Sequence, residues 1–184
     1  MKIAILGWGS LVWDPRHLPL ASSWMPGGPQ LPIEFTRISS DGRLTLVIDH
    51  INGVRIGSRF ATSARRELDD AVEDLRQREG PTRRENIGAV TAQSNPTTDA
   101  HDSADQIAQW CRAASFDAAI WTALGSNFRE KRDAPFTVAA AMTYLADLDG
   151  EQRRLAFEYV NRAPAEVVTP LRRAFSAARL SDGG

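Results

Sequence analysis

The residues with the clearest potential for chemistry lie near the start of the chain. An apolar run of strand length, Ile3 to Leu6, leads directly into Gly7-Trp8-Gly9-Ser10-Leu11. Two glycines allow the backbone to adopt positive φ and to approach a ligand closely. The amides of Gly9, Ser10 and Leu11 can then converge on a small concavity that suits a carboxylate. The pattern predicts a ligand-binding loop, and an ordinary turn after an edge strand is the alternative.

This loop does not fit three better-known glycine motifs. A dinucleotide-binding loop needs a third Gly or Ala where this chain has Val12, and Asp14-Pro15 argues against the helix that should follow. A phosphate-binding P-loop needs Gly-Lys-Ser/Thr, which the segment lacks. A nucleophile elbow needs a second glycine two residues after its serine, and Val12 follows Ser10 at that distance. None of these motifs therefore explains the loop.

A resemblance to a known family gives the loop a more specific interpretation. Gly-Trp-Gly-Ser-Leu-Val-Trp, residues 7–13, resembles the G-Y-G-S-L-[IV]-W segment of the gamma-glutamylcyclotransferase superfamily, especially its ChaC-like branch. Residues 75–80, Leu-Arg-Gln-Arg-Glu-Gly, are similar to the family's L-x-x-R-E or D-x-x-E-G segment. The apolar run from Ile87 to Val90 resembles the family's next strand. The resemblance covers residues 2–92, with both motifs in the family's order and spacing.

The resemblance implies an intramolecular reaction of γ-glutamyl compounds, of lyase or acyltransferase type. The substrate's α-amine attacks its own γ-carbonyl, releasing 5-oxoproline and a free amine, amino acid or peptide. Glu79 would be the catalytic acid/base, and Gly7, Trp8, Gly9, Ser10 and Leu11 would bind the substrate. No metal or cofactor is implied, because the nucleophile belongs to the substrate.

Glu79 can also be interpreted as a solvated glutamate at the end of a charged helix. A carboxylate can shuttle protons when an apolar pocket raises its pKa. Trp8, Trp13 and Trp121 are the candidate walls of such a pocket. Trp8 departs from the family's tyrosine, and an indole donates one hydrogen bond but accepts none. Any contact that needs a phenol oxygen is therefore lost or replaced.

Two other functions stay open at this point. A protein of the same fold that lost the chemistry would be a small-molecule-binding or regulatory module. Alternatively, Ser10 would serve as the nucleophile of a hydrolase or acyltransferase, together with a His and an Asp. His17, His50 and His101 lie far apart in sequence and show no metal-ligand spacing, so no metal site is expected.

The composition predicts a cytoplasmic protein without nucleic-acid or membrane partners. The chain has 184 residues, of which 42% are hydrophobic and 24% charged, with a formal net charge of −1. Such a charge gives no electrostatic basis for nucleic-acid binding. No apolar segment is long enough to span a membrane, and the single cysteine, Cys111, excludes an intrachain disulfide. The partner expected is a γ-glutamyl small molecule, and the oligomeric state is not predicted.

Hydrophobic periodicity and turn residues predict the elements that must position these groups. The expected strands are Lys2–Leu6, Ile33–Ser39, Leu44–Ile48, Val54–Ala61, Ile87–Thr91 and Ala118–Thr122. The expected helices are 64–79, 102–114, 135–145, 151–161 and 164–180, the last one interrupted near Pro170. One of Glu34 and Arg37, which lie on opposite faces of the second strand, could line the cavity, but a solvated strand face is the favoured expectation.

Strands that precede helices predict an α+β fold in a single domain over residues 1–184. The resemblance implies a small mixed β-barrel with flanking helices. Its core would cover about residues 1–125, and the helices of about 130–180 would be a C-terminal appendage. The ligand cavity would lie at the mouth of the barrel.

Overall fold

The structure is a computed structural model that describes residues 1–80, 82–94 and 102–178. These residues form a mixture of strands and helices with two sheets, which confirms the α+β class. The strands are β1 (Ile3–Gly7), β2 (Gln30–Ile38), β3 (Leu44–Ile48), β4 (Val54–Gly57), β5 (Arg59–Thr62), β6 (Ile87–Thr91) and β7 (Ala118–Thr122). The helices are α1 (Leu68–Glu79), α2 (Asp102–Ala113), α3 (Phe128–Arg132), α4 (Val138–Asp147), α5 (Gly150–Arg162) and α6 (Pro170–Ala177).

The chain divides into two compact units that alternate along the sequence. Unit 1 contains residues 1–31 and 57–124, and unit 2 contains residues 32–56 and the described chain from 125 onward. The C-terminal helices therefore group with β3 and most of β2 and β4, not with β1. The prediction of one domain over residues 1–184 stays a prediction.

Unit 1 is built on a sheet with the strand order β5-β1-β7-β6. β1 is parallel to β7 and antiparallel to β5, while β6 and β7 are antiparallel. Ile3 and Ile5 of β1 share an apolar cluster with Ile120 of β7 and Leu75 of α1. Because side chains alternate along a strand, the face that carries Ile120 also carries Thr122, the last residue of β7.

Unit 2 is built on a sheet with the strand order β3-β2-β4. β2 and β3 are antiparallel, with a register shift between Glu34 and Arg37. Tyr159 of α5 packs edge-on against Phe35 of β2, with ring centroids 6.3 Å apart, and its hydroxyl accepts a hydrogen bond from the Leu46 amide at 3.4 Å. Tyr159 therefore helps to anchor helix α5 to the sheet.

Among the described residues, neither sheet closes into the expected barrel. The edge strands are β5 and β6 in one sheet and β3 and β4 in the other. The single strand expected over Val54–Ala61 is two strands, which belong to different sheets. Between them Ser58 is buried and donates from its amide and its hydroxyl to the Pro29 carbonyl, at 3.1 and 2.9 Å. This tether ends β4 and redirects the chain into β5.

Most other elements agree with the expectation from the sequence. β3, β6 and β7 have the expected bounds, and α1 ends at Glu79 as expected, although it begins at Leu68 instead of residue 64. The last helix begins only at Pro170, where the Thr169 side chain accepts a hydrogen bond from the Arg172 amide. Residues 179–180 of the expected helix lie outside the described residues. No helix in the described ranges combines the length and apolar character needed to cross a bilayer.

The prediction of a solvated face for Glu34 is wrong. Its side chain is fully buried in β2. Its Oε1 accepts a hydrogen bond from the backbone amide of the next residue, Phe35, at 2.7 Å. Its Oε2 accepts one from the Leu171 amide of α6 at 3.2 Å. Burial raises the pKa of Glu34 although hydrogen bonds, including one from Thr169, oppose the rise. A carboxylate thus joins β2 to the beginning of α6.

We expect Glu34→Gln to change how stability depends on pH. The folded-state pKa of Glu34 is raised. The free energy of unfolding that Glu34 contributes is therefore fully present below the ordinary pKa of a glutamate, and it is lost as pH rises through the folded-state pKa. The amide must point its NH2 at one backbone donor, which costs about 1–3 kcal/mol. The variant is therefore less stable, and its difference in stability from the parent shrinks as pH rises above the ordinary pKa of a glutamate. Urea unfolding followed by backbone NMR signals of unit 2 measures this difference, with exposed Glu130→Gln as the control. A difference that grows with pH contradicts the assignment.

Candidate active site

Gly7 ends β1 and allows an unusually close side-chain contact. A Cβ at this position would lie 2.9 Å from Cζ3 of Trp24 and 3.1 Å from a methyl of Val12. Its backbone does not lie in the left-handed region, so the expected positive φ is wrong for this residue. The glycine is needed because the Trp24 indole lies against it, where a side chain would otherwise stand.

The residues after Gly7 form a tight helical turn. The Gly9 carbonyl accepts a hydrogen bond from the Val12 amide at 2.9 Å, and the Ser10 carbonyl accepts from the Trp13 and Asp14 amides at 3.2 and 2.8 Å.

The amides at the beginning of this turn are different. Those of Gly9, Ser10 and Leu11 donate to no described residue. Gly9 is buried and Leu11 is only 5% exposed. Buried amides in folded proteins nearly always have an acceptor, such as water or a ligand, so these donors suit an anion.

Glu79 is the last residue of α1 and is mostly shielded from solvent. The helix stops there because Gly80 adopts φ 90° and returns its amide to the Gln77 carbonyl at 3.1 Å. The Glu79 side chain is 15% exposed. Its Oε1 accepts hydrogen bonds from Arg78 Nη1 at 2.7 Å and from the Thr122 hydroxyl at 3.1 Å. Its Oε2 accepts none from any described residue, so one oxygen is held and the other is available.

Arg78 connects this carboxylate to the glycine loop. Its side chain is 6% exposed. While Nη1 donates to Glu79, Nη2 donates to the Asp14 carbonyl at 2.5 Å and to the Ser10 hydroxyl at 3.4 Å, and Nε donates to Asp14 at 3.2 Å. A single buried guanidinium therefore contacts both segments that the sequence singled out.

The sequence interpretation missed Arg78 and Thr122 as site residues. Arg78 follows Ala71 and Leu75 at i+7 and i+3, so helical periodicity places it on the buried face of α1. That signal was present but was outweighed by the charge of the surrounding segment. Thr122 carried no signal of its own, because its role depends on which face of β7 meets α1.

The three candidate tryptophans are not equivalent. Trp8 and Trp121 are 5% and 6% exposed, and Trp13 is half-buried. Trp121 lies against Gly88 on β6. Since the neighbouring Thr122 reaches Glu79, strand alternation turns Trp121 to the opposite face of the sheet. The suggestion that Trp121 walls the Glu79 environment is therefore wrong.

Ser10 lacks the partners of a catalytic nucleophile in the part of the chain that the structure describes. Its hydroxyl contacts the Arg78 guanidinium, which carries a charge and takes up no proton. His17 and His50 are exposed, His50 belongs to unit 2, and His101 lies outside the described residues. Burial raises the pKa of the Cys111 thiol to about 11, which disfavours the thiolate. Across residues 1–80, 82–94 and 102–178, no three potential ligands among His, Cys, Asp and Glu are grouped to hold a metal ion.

A cleft in unit 2 has a volume of about 390 Å³ but contains none of the predicted site residues. Ile38 and Leu148 contribute apolar walls, and Lys131 and Arg132 lie at its polar side. The Tyr144 hydroxyl in the cleft already donates to the Gly42 carbonyl at 2.6 Å. This cleft and the polar residues suited to catalysis therefore lie in different units. We place the candidate active site in unit 1, because its buried polar groups have hydrogen-bonding capacity that no described residue uses.

Comparison with known proteins adds no relative. No protein-family model, no curated protein and no solved structure matches the chain. We therefore infer its function from the residues of this chain and their geometry.

Proposed function

We propose that the protein is a gamma-glutamylcyclotransferase-like enzyme that releases 5-oxoproline from a small γ-glutamyl amine or peptide. One observation carries the proposal: the Arg78 guanidinium joins the shielded Glu79 carboxylate to a loop whose Gly9–Leu11 amides have no acceptor among the described residues. This reaction requires a group that carries a proton and a site that binds an anion.

In the proposed reaction Glu79 carries the proton. It takes a proton from the substrate's α-ammonium, and the freed amine attacks the γ-carbonyl carbon to form the five-membered ring. The bond from that carbon to the leaving nitrogen then breaks as Glu79 returns the proton to that nitrogen. The ring nitrogen gives up its second proton to solvent, and the released amine takes one up from solvent. Holding both reacting groups of one molecule in contact supplies the proximity effect. Oε2 is the proton-carrying oxygen, because Oε1 is already bonded to Arg78 and Thr122.

The loop holds negative charge in this proposal. Amide donors of Gly9, Ser10 and Leu11 bind the substrate's α-carboxylate or the oxyanion that develops on the γ-carbonyl. The chemistry calls for no cofactor, because nucleophile and electrophile are in the same substrate. Trp8 stands where the gamma-glutamylcyclotransferase superfamily has a tyrosine, and its indole can only donate a hydrogen bond. We therefore expect this protein to accept different leaving groups from that family.

A binding or regulatory module is the second candidate function. The observation that favours it is the same set of amide donors, which can hold a carboxylate without any reaction. A serine-nucleophile hydrolase is disfavoured by the guanidinium beside the Ser10 hydroxyl.

The direct test is 5-oxoproline release. We expect the protein to release 5-oxoproline from at least one member of a panel of γ-glutamyl amines and peptides, measured by mass spectrometry. Matched α-glutamyl isomers are the control, because their cyclisation would expel water and leave the amide intact. Calorimetry with 5-oxoproline should also show binding. Binding without release supports the module, and neither release nor binding contradicts both candidates.

A further inference from the structure

We infer that Arg78 is a positioning residue, which fixes the Glu79 carboxylate against the loop so that Oε2 faces the substrate. The inference rests on the proposed function, because it assigns Glu79 the proton transfer. It goes further by assigning different roles to the two oxygens of that carboxylate. It also gives a role to Arg78, which is not among the predicted site residues.

The contacts of Arg78 are those of a clamp. Three of its nitrogens are engaged, and they reach two separate segments: residues 10–14 after β1 and the end of α1. A planar guanidinium fixes the angle between its bonds, which a lysine ammonium does not. Glu79 therefore has a defined orientation relative to the Asp14 carbonyl and the Ser10 hydroxyl.

Because Arg78 is buried, removal of its charged partner is energetically unfavourable. A guanidinium with a 6% exposed side chain needs compensation, and Glu79 supplies the opposite charge. Thr122 holds the same oxygen from β7. Both Oε1 contacts come from fixed secondary structure, while the carboxylate retains 15% exposure for contact with a ligand.

The test compares two arginines at the end of the same helix. Arg78→Met removes the clamp, whereas Arg76→Met removes an arginine that pairs with Glu73 on the more exposed side. We expect Arg78→Met to lower kcat by about 10–100-fold with little change in KM, since a misplacement of about 1 Å can cost a hundredfold. Arg76→Met should keep both constants. Millimolar guanidinium should restore part of the kcat of an Arg78→Ala variant but not of Glu79→Gln.

A second variant covers the case in which Arg78→Met does not fold. Thr122→Val removes only the other Oε1 contact. We expect it to lower kcat by a smaller factor of about 3–10 with KM unchanged, because the carboxylate loses one hydroxyl donor and keeps its Arg78 contact. A rise in KM with kcat intact, in either Arg78→Met or Thr122→Val, overturns the inference because it assigns the group to substrate binding.

Crystal structures separate this inference from the proposed function. If the Glu79 carboxylate keeps its place in Arg78→Met, the positioning role is wrong, whatever the enzyme's activity. If the parent protein never releases 5-oxoproline but Glu79 is displaced in Arg78→Met, the proposed function fails and the positioning role stands.

Discussion

Glu79→Gln should lower the rate of 5-oxoproline release by at least about a hundredfold, because loss of a general acid–base group usually costs 10²–10⁴ in rate. The amide keeps an oxygen for the Arg78 and Thr122 contacts, so the local geometry is retained. We also expect a loss of stability, since the charge opposite the buried Arg78 guanidinium disappears. Steady-state kinetics on the best γ-glutamyl substrate measures the effect, with circular dichroism to verify folding.

Two further variants make this result specific. Ser10→Ala should reduce the rate by less than about tenfold, because it removes a 3.4 Å contact to Arg78 and keeps the backbone amide. Glu73→Gln is the matched control on α1, where an exposed glutamate pairs with Arg76. If Ser10→Ala abolishes turnover while Glu79→Gln is nearly normal, the cyclotransferase mechanism is wrong and a serine nucleophile takes its place.

Gly88→Ala should destabilise unit 1 by about 1–3 kcal/mol or more, which is the usual cost of forcing an added methyl into a packed site. A Cβ at Gly88 would overlap the six-membered ring and the pyrrole nitrogen of Trp121, the residue paired with it across β6 and β7. The indole has to leave its place. All five tryptophans of the chain lie in unit 1, so tryptophan fluorescence during urea unfolding reports on this unit.

Gly57→Ala provides the control for this substitution. There the added methyl would meet only the end of the flexible Gln30 side chain, at 3.2 Å. We expect its midpoint in urea to lie close to that of the parent. Equal midpoints for Gly88→Ala and the parent would mean that the indole of Trp121 is not held against β6.

The sequence predicted those elements whose signals are local. The apolar runs of β6 and β7 lie between turn residues, and α1 shows a clear helical repeat that Gly80 ends. The short α3 was missed, because five residues show no period. The division of Val54–Ala61 into β4 and β5 was also missed, since it depends on a bond between Ser58 and the distant Pro29.

The candidate site shows the same limit. The Gly7–Leu11 loop was predicted from its residue types and Glu79 from the family resemblance, and Arg78 contacts both segments. Helical periodicity alone was enough to place Arg78 on the inner face of α1. The partner of the guanidinium across the fold, the Asp14 carbonyl, was not predictable, because a backbone oxygen carries no sequence signal.

The alternation of the two units along the sequence has a consequence for the protein's synthesis. β1 leaves the ribosome before both of its neighbours in the sheet, β5 and β7, which end only at residues 62 and 122. Residues 32–56 likewise emerge long before α4, α5 and α6, which complete their unit. No continuous fragment contains one unit alone, and apolar strands stay uncovered until most of the chain exists. Nascent chains in this condition are prone to aggregate, so the cell's need for chaperones should be greatest before the last helices are made.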